Sequence, residues 1–550
     1  MSEFDWFLVF LLNGGVIVVG LYLARGTRSS SQWFLAGRSL PWWGIGLSMF
    51  ATNVDNADLV AVTGSTYKEG LHIISVYALG SAAGGILAAF CVVPVIYRAG
   101  FYTNAEYLES RFGPSMRVLS ALIQLQYRSS MLGLMIWSVY LLLTRLVDMQ
   151  PIEAWGLIVG AVVFAGFYAA WGGLKAVVWT DALQGLIMMA GGLAIFCAVW
   201  NAVGGWSGLT ESLQAADAAA DTHLADLTHI GRYRGEHGAT PPILVVVAWT
   251  IIGCGYWTVN HTQTMRLMGA RSLWDMRMAA LFGVSISLPI MISCAFLGVI
   301  GRALPAFQGM DNPDELYPML ADEFLGWGWK GLVVAGVLSA AVSTFDSMGA
   351  SLSAVFTRDI YARFIVKDRD DAHYVRVGRC ATVGVLVLGF LYLPFIWTQE
   401  NMLRAFTTLI PVFVTPLLTT YVVGVLLPVH RASGWIGIMI GSAYGLLALV
   451  GREFPEIVEL PVLVSGRWMA LIWSLLITAT TMAVVTLIAG RDHSAQTPLK
   501  ESGWLGRSRE QLPKILEHPF AGEVPLLANP NLWAALVLAG SAWVVFGLLW

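Results

Sequence analysis

Five ionisable side chains interrupt apolar sequence in this chain. Asp55 and Asp58 lie within ATNVDNADLVAVTG, Arg128 within QLQYRSSMLGLM, Asp181 directly after WGGLKAVVWT, and Asp346 within SAAVSTFDSMGA. If such runs lie in lipid, each charge costs at least ~2.5–3.5 kcal/mol on insertion scales, and a group kept at that cost usually has a function. Carboxylates accept hydrogen bonds from hydroxyls or ammonium groups, a guanidinium receives a carboxylate, and clustered oxygens bind a hard cation. Asn53, Asp55, Asn56 and Asp58 are poor helix formers in close succession, because their side chains compete for backbone groups. They predict a helix broken at mid-membrane, where backbone carbonyls freed beside a cavity can bind a cation. The other reading is a loop at a segment boundary.

Ala340, Ser343, Thr344, Ser347 and Ser351 fall at i, i+3, i+4, i+7 and i+11, one stripe down one helix face. Three serines and a threonine suit Na⁺, which prefers oxygen ligands; small-residue packing with hydroxyls on i−4 carbonyls suits the pattern equally. Asp346 lies three residues after Ser343, on much the same face. Asp181 is available to a second cation or to a pair with Lys175. Arg128 is available to a solute carboxylate or to an intramembrane aspartate. Trp257, Asn260 and His261 make a second polar interruption further along.

These groups must be positioned by membrane helices. Of 550 residues, 57% are apolar and 12% charged, against roughly 45–50% and 25% in soluble domains. Apolar runs near the ~20 residues of a spanning helix occur at about 4–24, 42–64, 71–97, 118–144, 153–171, 176–203, 242–263, 278–302, 331–356, 378–397, 403–427, 433–451, 468–489 and 531–549. That reading is an all-α polytopic membrane protein of about fourteen helices; the runs lack the ten-residue alternation of a β-barrel. The first is not a signal peptide, since Glu3 and Asp5 precede it without a basic residue.

Lys and Arg crowd alternate loops, among them Arg25, Arg28 and Arg38, then Arg98, Arg111 and Arg117, Lys175, Arg266 with Arg271, Arg358 to Arg379, and Arg491 to Lys514. The positive-inside rule then puts both termini outside the cytoplasm. Five unpaired-looking cysteines imply no disulfide or zinc site. No nucleotide, redox or catalytic fingerprint is present, and the polar stretches 206–240 and 490–530 are too short to be enzyme domains. Gly80 and Gly84 suit close helix packing.

The segments FLAGRSLPWWGIGLSMFATN (34–53), WGGLKAVVWTDALQ (171–184) and SAAVSTFDSMGASLSAVFTRDIY (339–361) resemble the sodium:solute symporters, which include sodium/glucose cotransporters and bacterial sialic-acid and proline carriers. The resemblance spans nearly the whole chain. It implies a LeuT-type 5+5 inverted-repeat fold: a peripheral helix and loop in 1–41, one repeat in 42–203, an extracytoplasmic loop in 204–241, the inverted repeat in 242–427, and three peripheral helices in 428–550. It implies a principal sodium site of the Ala51, Val54 and Ala340 carbonyls with the Ser343 and Thr344 hydroxyls. A second site would use Asp181, Ser343 and Ser347, with Asp346 where such relatives carry a serine.

Around the solute, the resemblance retains Asn260 but places Asp58, Tyr77, Ile286 and Thr408 where sugar carriers have other groups. Tyr77, Tyr256 and Trp257 stand as aromatic lids, or as plain packing. The implied activity is import of a small polar organic solute, a sugar, polyol or sugar acid, coupled to Na⁺ by alternating access in the cell membrane. The competing expectations are proton coupling through Asp181 or Asp346, a monocarboxylate or amino-acid solute, and a non-transporting sensor or channel. No nucleic acid or obligate protein partner is implied.

Overall fold

Lipid offers no hydrogen bonds, so each spanning segment must satisfy its own backbone, and helices do this. The computed structural model describes residues 1–23, 35–101, 103–220, 223–233, 240–399, 401–491 and 516–550. Among them the regular structure is helical, with one isolated bridge between Leu40 and Ala270. The loop charges Arg25, Arg28, Lys500, Arg507, Arg509 and Lys514 lie outside the described residues.

In chain order the helices are α1 (Glu3–Leu23), α2 (Trp42–Asn53), α3 (Asn56–Glu69), α4 (Leu71–Arg98, a composite with π turns), α5 (Asn104–Phe112), α6 (Pro114–Arg145), α7 (Pro151–Val203), α8 (Gly205–Ala220), α9 (Pro242–Thr258), α10 (His261–Met268), α11 (Leu273–Ala303), α12 (Leu316–Phe324), α13 (Trp329–Val355), α14 (Asp371–Phe390), α15 (Met402–Thr408), α16 (Ile410–Leu426), α17 (Ser433–Glu453), α18 (Arg467–Ala489) and α19 (Pro530–Ala542). Among the described residues nine helices are long and apolar enough to cross a membrane, or up to eleven if the bent pairs α9/α10 and α15/α16 each count as one span. The expected count of fourteen is therefore not reached by that test. Three expected spans fall short: α2 and α3 are halves parted by polar residues, α6 carries Arg128, and Pro151–Gly166 is short.

One further expectation changes. Helical hydrogen bonding runs unbroken from Pro151 to Val203, across the boundary expected near 171–176; no proline stands there to stop it. The connecting segment 204–241 contains α8.

The centre is built on α7 and α13, which share the most extensive helix contact, with α2 lying against both and α1 covering them from outside. Helix α11 packs along α2 and α3, and α9 along α4. At the last contact backbones touch: a Cβ on Gly80 would lie 2.8 Å from the Trp249 carbonyl oxygen, and one on Gly84 2.5 Å from that of Gly253. Only glycine permits such an approach. The outer surface is apolar, with Phe7, Phe10, Val163, Leu391, Leu487 and Ile488 all exposed, as lipid-facing positions require.

Candidate functional site

The first break begins where α2 ends. Val54 leaves the helical region (φ −112°, ψ 105°) and Asp55 caps α3, its Oδ1 accepting from the N–H groups of Ala57 (2.9 Å) and Asp58 (3.1 Å). Asp58 Oδ2 in turn accepts from the Asp55 N–H at 3.2 Å, closing a reciprocal capping box. In a continuous helix the Asp55 N–H would serve the Ala51 carbonyl and the Asp58 N–H the Val54 carbonyl. Both donors go instead to carboxylates, so the Ala51 and Val54 carbonyls are released. The Thr52 carbonyl between them accepts from Tyr256 Oη on α9.

The second break repeats the device. Helices α9 and α10 meet at 51°, and Asn260 caps α10 by accepting the Thr262 N–H at 3.0 Å. The loop before α2 is stitched to the far end of α10, since Leu40 N donates to the Gly269 carbonyl and Arg271 N to the Leu40 carbonyl. The start of α2 and the far end of α10 are thus joined.

Beside the first break lies a cavity of about 70 Å³, lined by residues of α2, α3, α4, α6, α9 and α15. Asp58, Tyr77 and Arg128 line it, with Asn53, Asp55, Ser81 and Tyr256. Tyr77 Oη donates to Asp58 Oδ1 at 2.7 Å and fixes that carboxylate. Arg128 is 1% exposed, its guanidinium 5.6 and 5.5 Å from the ring centroids of Tyr127 and Tyr256, and its Nε and Nη2 have no hydrogen-bond partner.

The other residues expected around a solute lie apart from this cavity's lining. Asn260 is fully buried at its cap, Trp257 is fully buried beneath Gly85 and Gly283, and the Thr408 hydroxyl bonds the Arg404 carbonyl at 2.7 Å.

On the stripe of α13, Thr344 Oγ1 donates to the Ala340 carbonyl at 2.9 Å and Ser343 Oγ to Asp181 Oδ1 at 2.7 Å. Ser48 of α2 donates to Asp181 Oδ2 at 2.6 Å. One carboxylate therefore holds α2 against α13, one turn from the released carbonyls. Ser347 Oγ lies 3.2 Å from both Asp181 oxygens and 3.2 Å from Asp346 Oδ1.

Sequence reasoning missed the partner of Asp181. Lys175 is exposed; the pair is with Arg266, whose Nη2 reaches Asp181 Oδ2 at 2.6 Å with both side chains fully buried. Arg266 Nε also contacts Ser48 Oγ at 2.7 Å, Nη1 donates to the Thr262 carbonyl, and Nη2 bonds Ser347 Oγ. The expectation that Arg266 is a loop charge is thus corrected. It sits inside because the second break lets the span continue as α10, which carries Arg266 one turn past Thr262. The signal was present in HTQTMR, where an arginine follows a polar break without an intervening turn residue. Arg111 and Arg117 are likewise buried, the latter bonded to Glu106, Glu109 and Asp359.

Known proteins of similar sequence and fold point the same way. The family model described as "Sodium:solute symporter family" matches residues 33–445. A sodium/glucose cotransporter of Vibrio parahaemolyticus is 29% identical over 412 residues, covering 71% of this chain and 74% of the relative. Sodium/myo-inositol cotransporter 2 of Sus scrofa is 26% identical over 471 residues, covering 79% and 68%. Among solved structures, a Na⁺-coupled sialic acid symporter in a substrate-bound outward-open state aligns with TM-score 0.74 at 18% identity, covering 89% of this chain and 99% of that one. Mhp1, a nucleobase-cation-symport-1 family transporter, aligns with TM-score 0.52 at 15% identity, covering 83% and 95%.

Proposed function

The chain belongs to the sodium:solute symporter family, and on that premise we propose that it imports a small polar organic solute by Na⁺-coupled alternating access. Its helical fold is of the LeuT type, and its relatives are transporters and not enzymes. The observation that carries the proposal is the release of the Ala51 and Val54 carbonyls, one turn from where Ser48 and Ser343 meet on Asp181. Carbonyls from a broken helix and hydroxyls from the stripe are the oxygen donors a sodium ion takes. Sodium held there by Ala51, Val54, Ala340, Ser343 and Thr344 would bridge α2 and α13 and favour one of the two access states. Solute and sodium then tighten each other by the same factor, and a 100 mV potential adds about 2.3 kcal/mol per charge moved inward.

We read one sodium per cycle. The second cation position, expected around Asp181, Ser347 and Asp346, has the Arg266 guanidinium bonded to Asp181 and Ser347. The same pairing weighs against Asp181 as a proton carrier. The relatives named for glucose and myo-inositol support a sugar or polyol by kinship. Residence in the cell membrane with both termini outside is inferred from the loop charges, and the inverted-repeat boundaries from the two matching breaks.

The test is solute uptake into proteoliposomes with the Na⁺ and H⁺ gradients imposed separately. Accumulation driven by Na⁺ alone supports the reading; accumulation driven by H⁺ alone, or downhill flux only, overturns it.

A further inference from the structure

The cavity's own chemistry bears on which solute it takes, given the symport reading on which the assignment rests and without appeal to kinship with sugar carriers. Three charged side chains line it: Asp55, Asp58 and Arg128.

Arg128 is buried with two donors, Nε and Nη2, that no protein group accepts. Leaving such donors unserved is costly, and a carboxylate serves a guanidinium best. Asp55 uses only Oδ1 in capping α3, and its Oδ2 makes no hydrogen bond among the described residues. Asp58 is aimed by Tyr77. Both carboxylates can receive a cationic donor.

The rest of the wall decides between a polyol and something less polar. A sugar presents hydroxyls on every side and requires partners on every side. Here Asn53, Asp55, Asp58, Tyr77, Ser81, Arg128 and Tyr256 supply the polar groups, while Ile73, Ile252, Met402, Leu403 and Phe406 belong to a larger apolar remainder.

We infer that the solute is zwitterionic, with a carboxylate on Arg128, an ammonium group at Asp55 and Asp58, and an apolar body against α4, α9 and α15. An amino acid with an apolar side chain is the chemical class that fits.

The experiment is a thermal-shift and radiotracer comparison on the full chain, with and without Na⁺. The probes are L-leucine, L-proline and L-phenylalanine, each beside its hydroxy-acid and decarboxylated amine analogues, with glucose and myo-inositol. Sodium-dependent binding of at least one zwitterion, with both analogues weaker by about 100-fold or more, is expected. Arg128→Gln should weaken that zwitterion by a similar factor while keeping the Na⁺-induced shift, which shows the variant is folded. The inference is overturned if a hydroxy acid binds as well as its amino acid, if glucose or myo-inositol binds more tightly than every zwitterion, or if no zwitterion binds while the Na⁺ shift persists. Zwitterion binding indifferent to sodium would overturn the symport reading and leave the solute class standing.

Discussion

Arg266 and Asp181 meet at 2.6 Å, Nη2 to Oδ2, with neither side chain reached by solvent. The two residues come from different broken or continuous spans, α10 and α7, and Ser48 of α2 and Ser347 of α13 complete the cluster. Four helices of the transport core therefore share one ion pair. Such a pair is a weak source of net stability, but removing one partner leaves an uncompensated buried charge.

Arg266→Met alone should destabilise the protein by roughly 3–5 kcal/mol, read as a large drop in the melting temperature of the purified carrier. Combining it with Asp181→Asn should recover much of that loss, since both charges then leave together. A double variant no more stable than Arg266→Met would show that the pair is not the relevant interaction.

Ser343→Ala combined with Thr344→Ala removes both hydroxyls from the proposed sodium site. Sodium-dependent uptake should be abolished, and the sodium-induced thermal shift should vanish at concentrations that saturate the unaltered protein. Unchanged sodium affinity would place the ion elsewhere.

Asp314, in the loop between α11 and α12, is fully buried. Burial pushes its carboxyl up to about 7, outweighing the Met402 N–H it accepts at 2.8 Å and the charge of Lys68. The folded chain thus keeps a proton that the unfolded chain releases near 3.8. Stability is full at acid pH, declines as pH rises towards about 7, and is level above it, by at most roughly 4 kcal/mol. Melting curves from pH 4 to 8 should show this decline, and Asp314→Asn should flatten it; an unaltered profile in the variant would assign the decline to another group.

Gly253 faces Gly80 across the α4/α9 contact with no room for a methyl group. Gly253→Ala should force these helices apart and widen the cavity that both line, lowering the melting temperature and weakening solute binding. Gly156→Ala, where nothing lies within 4 Å of the added carbon, should change neither.

Much of the architecture was legible because lipid imposes strict rules on sequence. Segments near 20 apolar residues had to be helices, and the Asn/Asp cluster at 53–58 had to break one, since those side chains take backbone donors for themselves. The spacing of Ser343, Thr344 and Ser347 put them on one face with no knowledge of what faced them. The total of fourteen spans was less secure, because α6 and the α2/α3 pair carry the polar groups that make the site and so fail an apolarity test. Function and hydropathy pull in opposite directions at those helices.

What the chain determined alone was local: where helices run, where they break, and which side chains line a face. Only the tertiary structure decided partners, because partners lie far apart along the chain. Asp181 could have taken a cation or Lys175, and it took Arg266, 85 residues away. Arg128 could have taken an aspartate, and its Nε and Nη2 are left open beside a cavity. Periodicity records which face a residue occupies, but not what a neighbouring helix brings to that face once 550 residues have packed.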